Sequence, residues 1–97
     1  MELITAKDGN NMSVKVQGRL DTTTAPQLEA ELSNLEGVEE LALDFSELEY
    51  ISSAGLRVLL ATQKKMAKQG RMVIRSVNDT VMEVFEITGF ADILTIE

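Results

Sequence analysis

Ninety-seven residues with a formal net charge of −7 make one compact domain, spanning 1–97, and a chain of this size buries about 60–65% of the surface its unfolded form exposes. With no cysteine and no histidine there is no disulfide, no thiolate nucleophile, no imidazole base for a serine hydrolase and no ligand set for most catalytic zinc sites. The negative charge opposes the counterion release that drives nucleic-acid binding, so DNA and RNA are not expected as direct partners and a protein with a basic surface is.

No apolar run approaches the ~20 residues of a membrane helix, and Met1-Glu2-Leu3-Ile4-Thr5 lacks the basic and long apolar regions of a secretion signal. A soluble, unexported protein without membrane insertion is expected, in the cytoplasm, where cysteine-free composition also fits.

Met12, Val14, Val16 and Gly18 alternate with Ser13, Lys15 and Gln17, which predicts a strand with one buried face. Leu3–Ala6 reads as its hairpin partner, joined through Asp8-Gly9-Asn10-Asn11, residues that tolerate positive φ. Thr24-Ala25-Pro26-Gln27 has the Thr/Gln spacing of a capping box with proline in the first turn, so a helix is predicted there. Leu28, Leu32 and Leu35 would line it and Gly37 would end it.

Leu41–Phe45 is the next predicted strand, followed by a polar turn. A second helix is predicted from Ser52 or Ser53 to about Gln69, with an apolar stripe of Leu56, Leu59, Leu60, Met66 and Ala67 and Gly70 as its stop. Met72-Val73-Ile74 reads as a short buried strand, and about Asn78–Thr88 as a helix that packs Val81, Val84 and Phe85, with Gly89 as its stop. Leu94–Ile96 is a candidate for a last edge strand. The order is ββαβαβα with an optional final strand: an α/β fold with a mixed four- to five-stranded sheet and packed helices, its hairpin antiparallel and its strand-helix-strand units parallel.

The segment of most chemical interest is Ile51-Ser52-Ser53-Ala54-Gly55-Leu56-Arg57, where small residues sit at a helix start. Unpaired backbone N–H groups and the helix dipole would hold an anion there. By residue type, one serine would cap the helix by accepting a backbone hydrogen bond, a role compatible with phosphate acceptance. Other groupings carry less. Arg57, Lys64, Lys65, Lys68 and Arg71 run without an acid between them and read mainly as a solvated face; the scattered glutamates have no metal-loop spacing, and no phosphate-binding loop motif occurs.

Three segments together resemble a known family, the STAS domain in its free-standing anti-sigma factor antagonist form. They are Val14–Asp21, then Leu43-Asp44-Phe45-Ser46 leading into Ile51–Leu59, and last Phe85-Glu86-Ile87-Thr88-Gly89-Phe90. The resemblance implies a partner-switching protein that captures an anti-sigma factor and so frees a sigma factor. Such an anti-sigma factor is typically itself a serine kinase, phosphorylation ends the capture, and a serine phosphatase restores it. A ligand and substrate is implied, not an enzyme, and no cofactor.

Matched onto the family motif, the phosphoacceptor is Ser53, with Ser52 second; Ser52 stands where many members carry aspartate. The implied partner surface comprises Asp21, Ser52, Ser53, Ala54, Gly55, Leu56 and Arg57. Asp44 is also implied to lie near that surface, although local loop hydrogen bonding is the simpler expectation for it.

Phosphate on a helix N-terminus gains on the order of 0.3–2 kcal/mol, so the fold should survive modification. Pressed into a fitted contact, the same dianion costs up to several kcal/mol, so release without unfolding is expected. The alternatives are a non-switching STAS accessory module of a membrane-lipid transport or signalling assembly, and a serine-nucleophile enzyme, which lacks Gly-x-Ser-x-Gly and histidine.

Overall fold

The computed structural model describes residues 1–97. Strands β1 (Glu2–Asp8) and β2 (Asn11–Leu20) form the expected antiparallel hairpin, with Asp8 opposite Asn11 and Gly9 at φ +62. Helix α1 (Ala25–Glu31) leads to β3 (Glu40–Asp44) and β4 (Leu48–Ile51), then α2 (Ser53–Ala67), β5 (Arg71–Arg75) and α3 (Asp79–Thr88). A 3-10 turn at Phe90–Asp92 follows α3.

The sheet runs β1-β2-β3-β5, and β4 pairs with β2 off that path. Strand β2 is long enough to serve two parallel partners in succession. Its first half aligns Asn11–Lys15 with Glu40–Asp44 of β3, and its end aligns Gly18 with Leu48 and Leu20 with Ile51 of β4. The change of partner coincides with a register shift at Gly18/Arg19, where Gly18 takes φ +97, a conformation that costs glycine little.

Alternation along the strands sends Met12, Val14, Val16, Leu41, Leu43, Met72 and Ile74 into one core with Leu28, Leu59, Met66 and Phe85 of the helices. Phe45 and Phe85 meet there at 6.5 Å between ring centroids. The opposite sheet face carries Ser13, Lys15, Ala42, Asp44 and Arg75 around shallow depressions.

Four sequence expectations are corrected. Strand β4 occupies residues read as a polar turn, because its pattern buries Leu48 and Ile51 while exposing Glu49 and Tyr50, which is not strict alternation. Helix α1 ends at Glu31 rather than near Gly37. Ser33 Oγ donates to Ala30 O at 2.7 Å and Asn34 Oδ1 accepts from Glu36 N at 3.2 Å, so side chains take up the backbone groups that would continue the helix. Leu32, Leu35 and Val38 still reach the core from the connecting loop, whose carbonyls at Leu35 and Val38 accept from Gln69 Nε2.

The Thr24/Gln27 capping box does not form. Thr24 Oγ1 donates instead to Arg19 O and accepts from Asp21 N, both at 2.8 Å. Leu94–Ile96 makes a single parallel bridge, Ile96 to Ile74, rather than a strand. Helix α3 follows expectation: Asn78 Oδ1 accepts from Val81 N at 2.9 Å, and Gly89 stops the helix at φ +82. No helix is long and apolar enough to cross a membrane.

Candidate functional site

The pairing of β2 with β4 brings together two segments thirty residues apart in the chain. Ser52 N–H donates to Leu20 O at 2.9 Å, so the start of the Asp21 loop and the serine turn are laced side by side. Ser52 is extended (φ −99, ψ 175), and its carbonyl accepts from Leu56 N at 3.0 Å to begin α2.

The two serines face different surroundings. Ser52 Oγ is buried without a hydrogen-bond partner, while Ser53, the first residue of α2, is exposed. Neither hydroxyl caps the helix, contrary to the capping expectation: Ser52, in the N-cap position, makes no side-chain cap bond, and the first turn holds no acidic residue. The backbone donors at the head of α2 are thus unmatched by any side chain, a setting that favours negative charge on Ser53.

Gly55 and Leu56 are buried and face inward. A Cβ on Gly55 would stand 2.7 Å from Leu20 Cγ and 2.9 Å from Ile51 Cγ1, so glycine allows α2 to start against the ends of β2 and β4. These two residues shape the turn from inside. The surface-facing members of the expected set are Asp21, Ser53, Ala54 and Arg57, with Ala54 and Asp21 half-buried and Ser53 and Arg57 exposed.

Asp21 organises the neighbouring loop. Its Oδ1 accepts from Thr23 Oγ1 at 2.7 Å, Thr23 N at 3.0 Å and Thr24 N at 3.2 Å, and its carbonyl receives Ala25 N at 2.8 Å. The Thr23 hydroxyl above all, with the Thr23 and Thr24 N–H groups, holds the carboxyl below the ordinary aspartate range. The Asp21 carboxylate thus ties down the turn that precedes α1, while no side chain caps the first turn of the helix itself. Its ionised form is the one this loop is built around.

Arg19 lies 3.9 Å from Asp21 Oδ2 through Nε, and its guanidinium sits 4.4 Å from the Tyr50 ring centroid. Sequence reasoning missed this pair. The only available signal was Tyr50, an aromatic residue immediately upstream of the turn. On the other side a groove of about 310 Å³ opens between α1 and α2, with Thr22, Pro26, Glu29, Ala54 and Arg57 on its walls.

Asp44 accepts from Ser46 N at 2.8 Å, and that N–H, with the Ser46 hydroxyl and Lys15, lowers its pKa. Its depression on the helix-free sheet face is shared with Ile4, Lys15 and Arg75, not with the serine turn. Local loop bonding is thus what Asp44 does. Of the basic run, Arg71 pairs with Glu97 at 2.6 Å, whereas Arg57, Lys64, Lys65 and Lys68 are exposed and form none of the ion pairs in the chain. The acidic residues form no group of three or more that would hold a metal ion.

The family model of the STAS domain matches residues 2–97. A Bordetella bronchiseptica protein provisionally named anti-sigma factor antagonist BtrV is 39% identical over 99 residues, covering 99% of this chain and 85% of that protein. The crystal structure of an anti-sigma factor antagonist from Mycobacterium paratuberculosis superposes with a TM-score of 0.88 at 24% identity, over 98% of this chain and 83% of that one. The Bacillus anti-sigma factor antagonist SpoIIAA is similar in its unphosphorylated form (TM-score 0.77, 18% identity, 99% and 87% coverage). Its phosphorylated form is equally close (0.76, 19%, 99% and 91%). At these identities the structural likenesses speak for a shared fold.

Proposed function

The chain belongs to the STAS domain family, and from that premise we propose that it is an anti-sigma factor antagonist whose capture of its partner is switched by phosphorylation of Ser53. Unmodified, it binds an anti-sigma factor that is also a serine kinase, through the Asp21 loop, the Ser52-Ser53 turn and the first turns of α2. The bound anti-sigma factor lets go of its sigma factor. A serine phosphatase resets the switch, and the cycle runs in the cytoplasm.

The observation that carries this reading is the contrast between the two hydroxyls. Ser53 is exposed at the head of α2 with free backbone donors around it, and Ser52 Oγ is buried. In the transfer, Ser53 Oγ bonds to the γ-phosphorus of ATP as the bond to ADP breaks, and the hydroxyl proton leaves to the kinase's base or to water. The antagonist is the substrate of that step; the kinase supplies the catalytic groups.

Release follows from local rather than global charge. The chain is already at −7, and more negative charge would draw it toward a basic partner in a long-range field. At the contact itself, a dianion of about −1.5 to −2 must be stripped of water and fitted against groups arranged for a hydroxyl.

Incubation with the cognate kinase and ATP, followed by mass spectrometry of the tryptic peptides, tests the proposal. One phosphate on Ser53, abolished in Ser53→Ala, is expected. Phosphate on neither serine would leave the non-switching accessory module as the better reading, and phosphate on Ser52 would overturn the site choice.

A further inference from the structure

We propose that Arg57 is an internal latch for the phosphate: free to meet the partner while Ser53 is unmodified, and drawn onto phosphoserine 53 once it forms. The inference rests on Ser53 being the phosphoacceptor. Ser53 and Arg57 lie four residues apart within α2, both exposed, which places their Cβ atoms about 5–6 Å apart on one helix face. The order is the favourable one, with the anion on the N-terminal side of the cation. A guanidinium can bridge two phosphate oxygens, which an ammonium cannot do with the same fixed geometry.

Arg57 is also the cation available for this role. Arg19, the other guanidinium near the turn, is stacked on Tyr50 and held toward Asp21. Lys64 is eleven residues on, about three turns away along the helix axis. Arg57 itself makes no ion pair; across its groove, Glu29 comes no closer than 4 Å. With no acid in the first turn of α2, phosphoserine 53 would be its nearest anion on the helix.

The latch gives phosphorylation a second effect beyond intruding on the contact. One event both inserts a dianion and withdraws a cation from the surface offered to the partner. It also holds the phosphate against the chain's own helix, which keeps the modified form folded and closed to recapture.

The test uses the full chain with phosphoserine encoded at position 53, so that it does not depend on any kinase. Titration by phosphorus NMR should find the second phosphate pKa lower in the otherwise native protein than in Arg57→Gln by about 0.2–0.4 unit, with Lys64→Gln unchanged and Arg57→Lys between. The Arg57 Nε resonance should shift on phosphate ionisation, a readout that needs no substitution. Equal phosphate titration in the native and Arg57→Gln proteins, or an equal change in Lys64→Gln, would overturn the latch. A kinase that leaves Ser53 unmodified would instead sink the proposed function, while leaving this measurement interpretable.

Discussion

Gly55 and Leu20 stand so close that a single methyl group on the glycine would lie 2.7 Å from Leu20 Cγ. Leu20 is fully buried at the end of β2, and the residue after it is Asp21. The contact therefore fixes the distance between the Asp21 loop and the helix that presents Ser53. Gly55→Ala should destabilise the chain by about 1–3 kcal/mol, overpacking outweighing the better helix propensity of alanine. Urea denaturation measures it directly. Gly70→Ala should be worse, since its Cβ would fall on the carbonyl of Glu39, which is backbone and cannot turn aside.

The serines should separate cleanly by substitution. Ser52→Ala removes a buried hydroxyl that has no partner, so stability should be unchanged or raised by up to about 1 kcal/mol. Ser53→Ala should leave stability within about 0.5 kcal/mol, as at other exposed positions. A loss of 2 kcal/mol or so in Ser52→Ala would mean that its hydroxyl is hydrogen-bonded after all.

Mimicking the modified state should weaken partner capture without unfolding. Ser53→Asp is expected to keep the circular dichroism spectrum and melting temperature of the native chain while losing tenfold or more in affinity, about 1.4 kcal/mol, for the anti-sigma factor. Circular dichroism melts read the first arm, and calorimetric titration against the purified partner reads the second. Equal affinity would place the switch elsewhere.

Asp21 makes stability depend on acid pH. Its carboxyl is more acidic folded than unfolded, so its stabilising contribution is present above the unfolded value of about 3.9 and disappears as pH falls through the lower folded value. Asp21→Asn should be less stable than the native chain at neutral pH, and the two should begin to converge only as pH falls below about 4, towards the lower folded value. Asp44, shifted in the same direction, keeps a residual acid dependence in the variant. Denaturant midpoints across pH 2.5 to 7, on the order of the carboxylate range, decide the matter.

Asn78 joins α3 to β4. Its Oδ1 caps Val81 N at 2.9 Å and its Nδ2 donates to Leu48 O at 2.6 Å. Asn78→Ala should cost about 1–3 kcal/mol, lowering the melting temperature by about 4–8 °C per kcal/mol in a domain of this size.

Much of the architecture was legible because its signals are local. Alternation marked β2, helical spacing marked Leu56, Leu59 and Met66 of the buried face of α2 but wrongly added the exposed Ala67, Asn78 and Gly89 bracketed α3, and Asp8–Asn11 announced the hairpin. The misreadings arose where tertiary contacts overrule local ones. Strand β4 exists because the end of β2 offers it a ladder, and α1 ends early because Ser33 and Asn34 claim its backbone groups.

The serine turn shows the same division. By itself the sequence determined that two hydroxyls and small residues stand at a helix start, without histidine or cysteine to make them catalytic, and its motif pointed to a STAS domain. Residue type alone could not rank the hydroxyls, since both are serines, and only the match to the family motif put Ser53 ahead of Ser52. Only the tertiary structure decided that Ser52 Oγ is buried and that the Asp21 carboxylate takes the backbone N–H groups of Thr23 and Thr24. The reason is physical: exposure and hydrogen-bond partnership depend on which distant strand lies alongside, and here the Leu20–Ile51 register of β2 and β4 sets both.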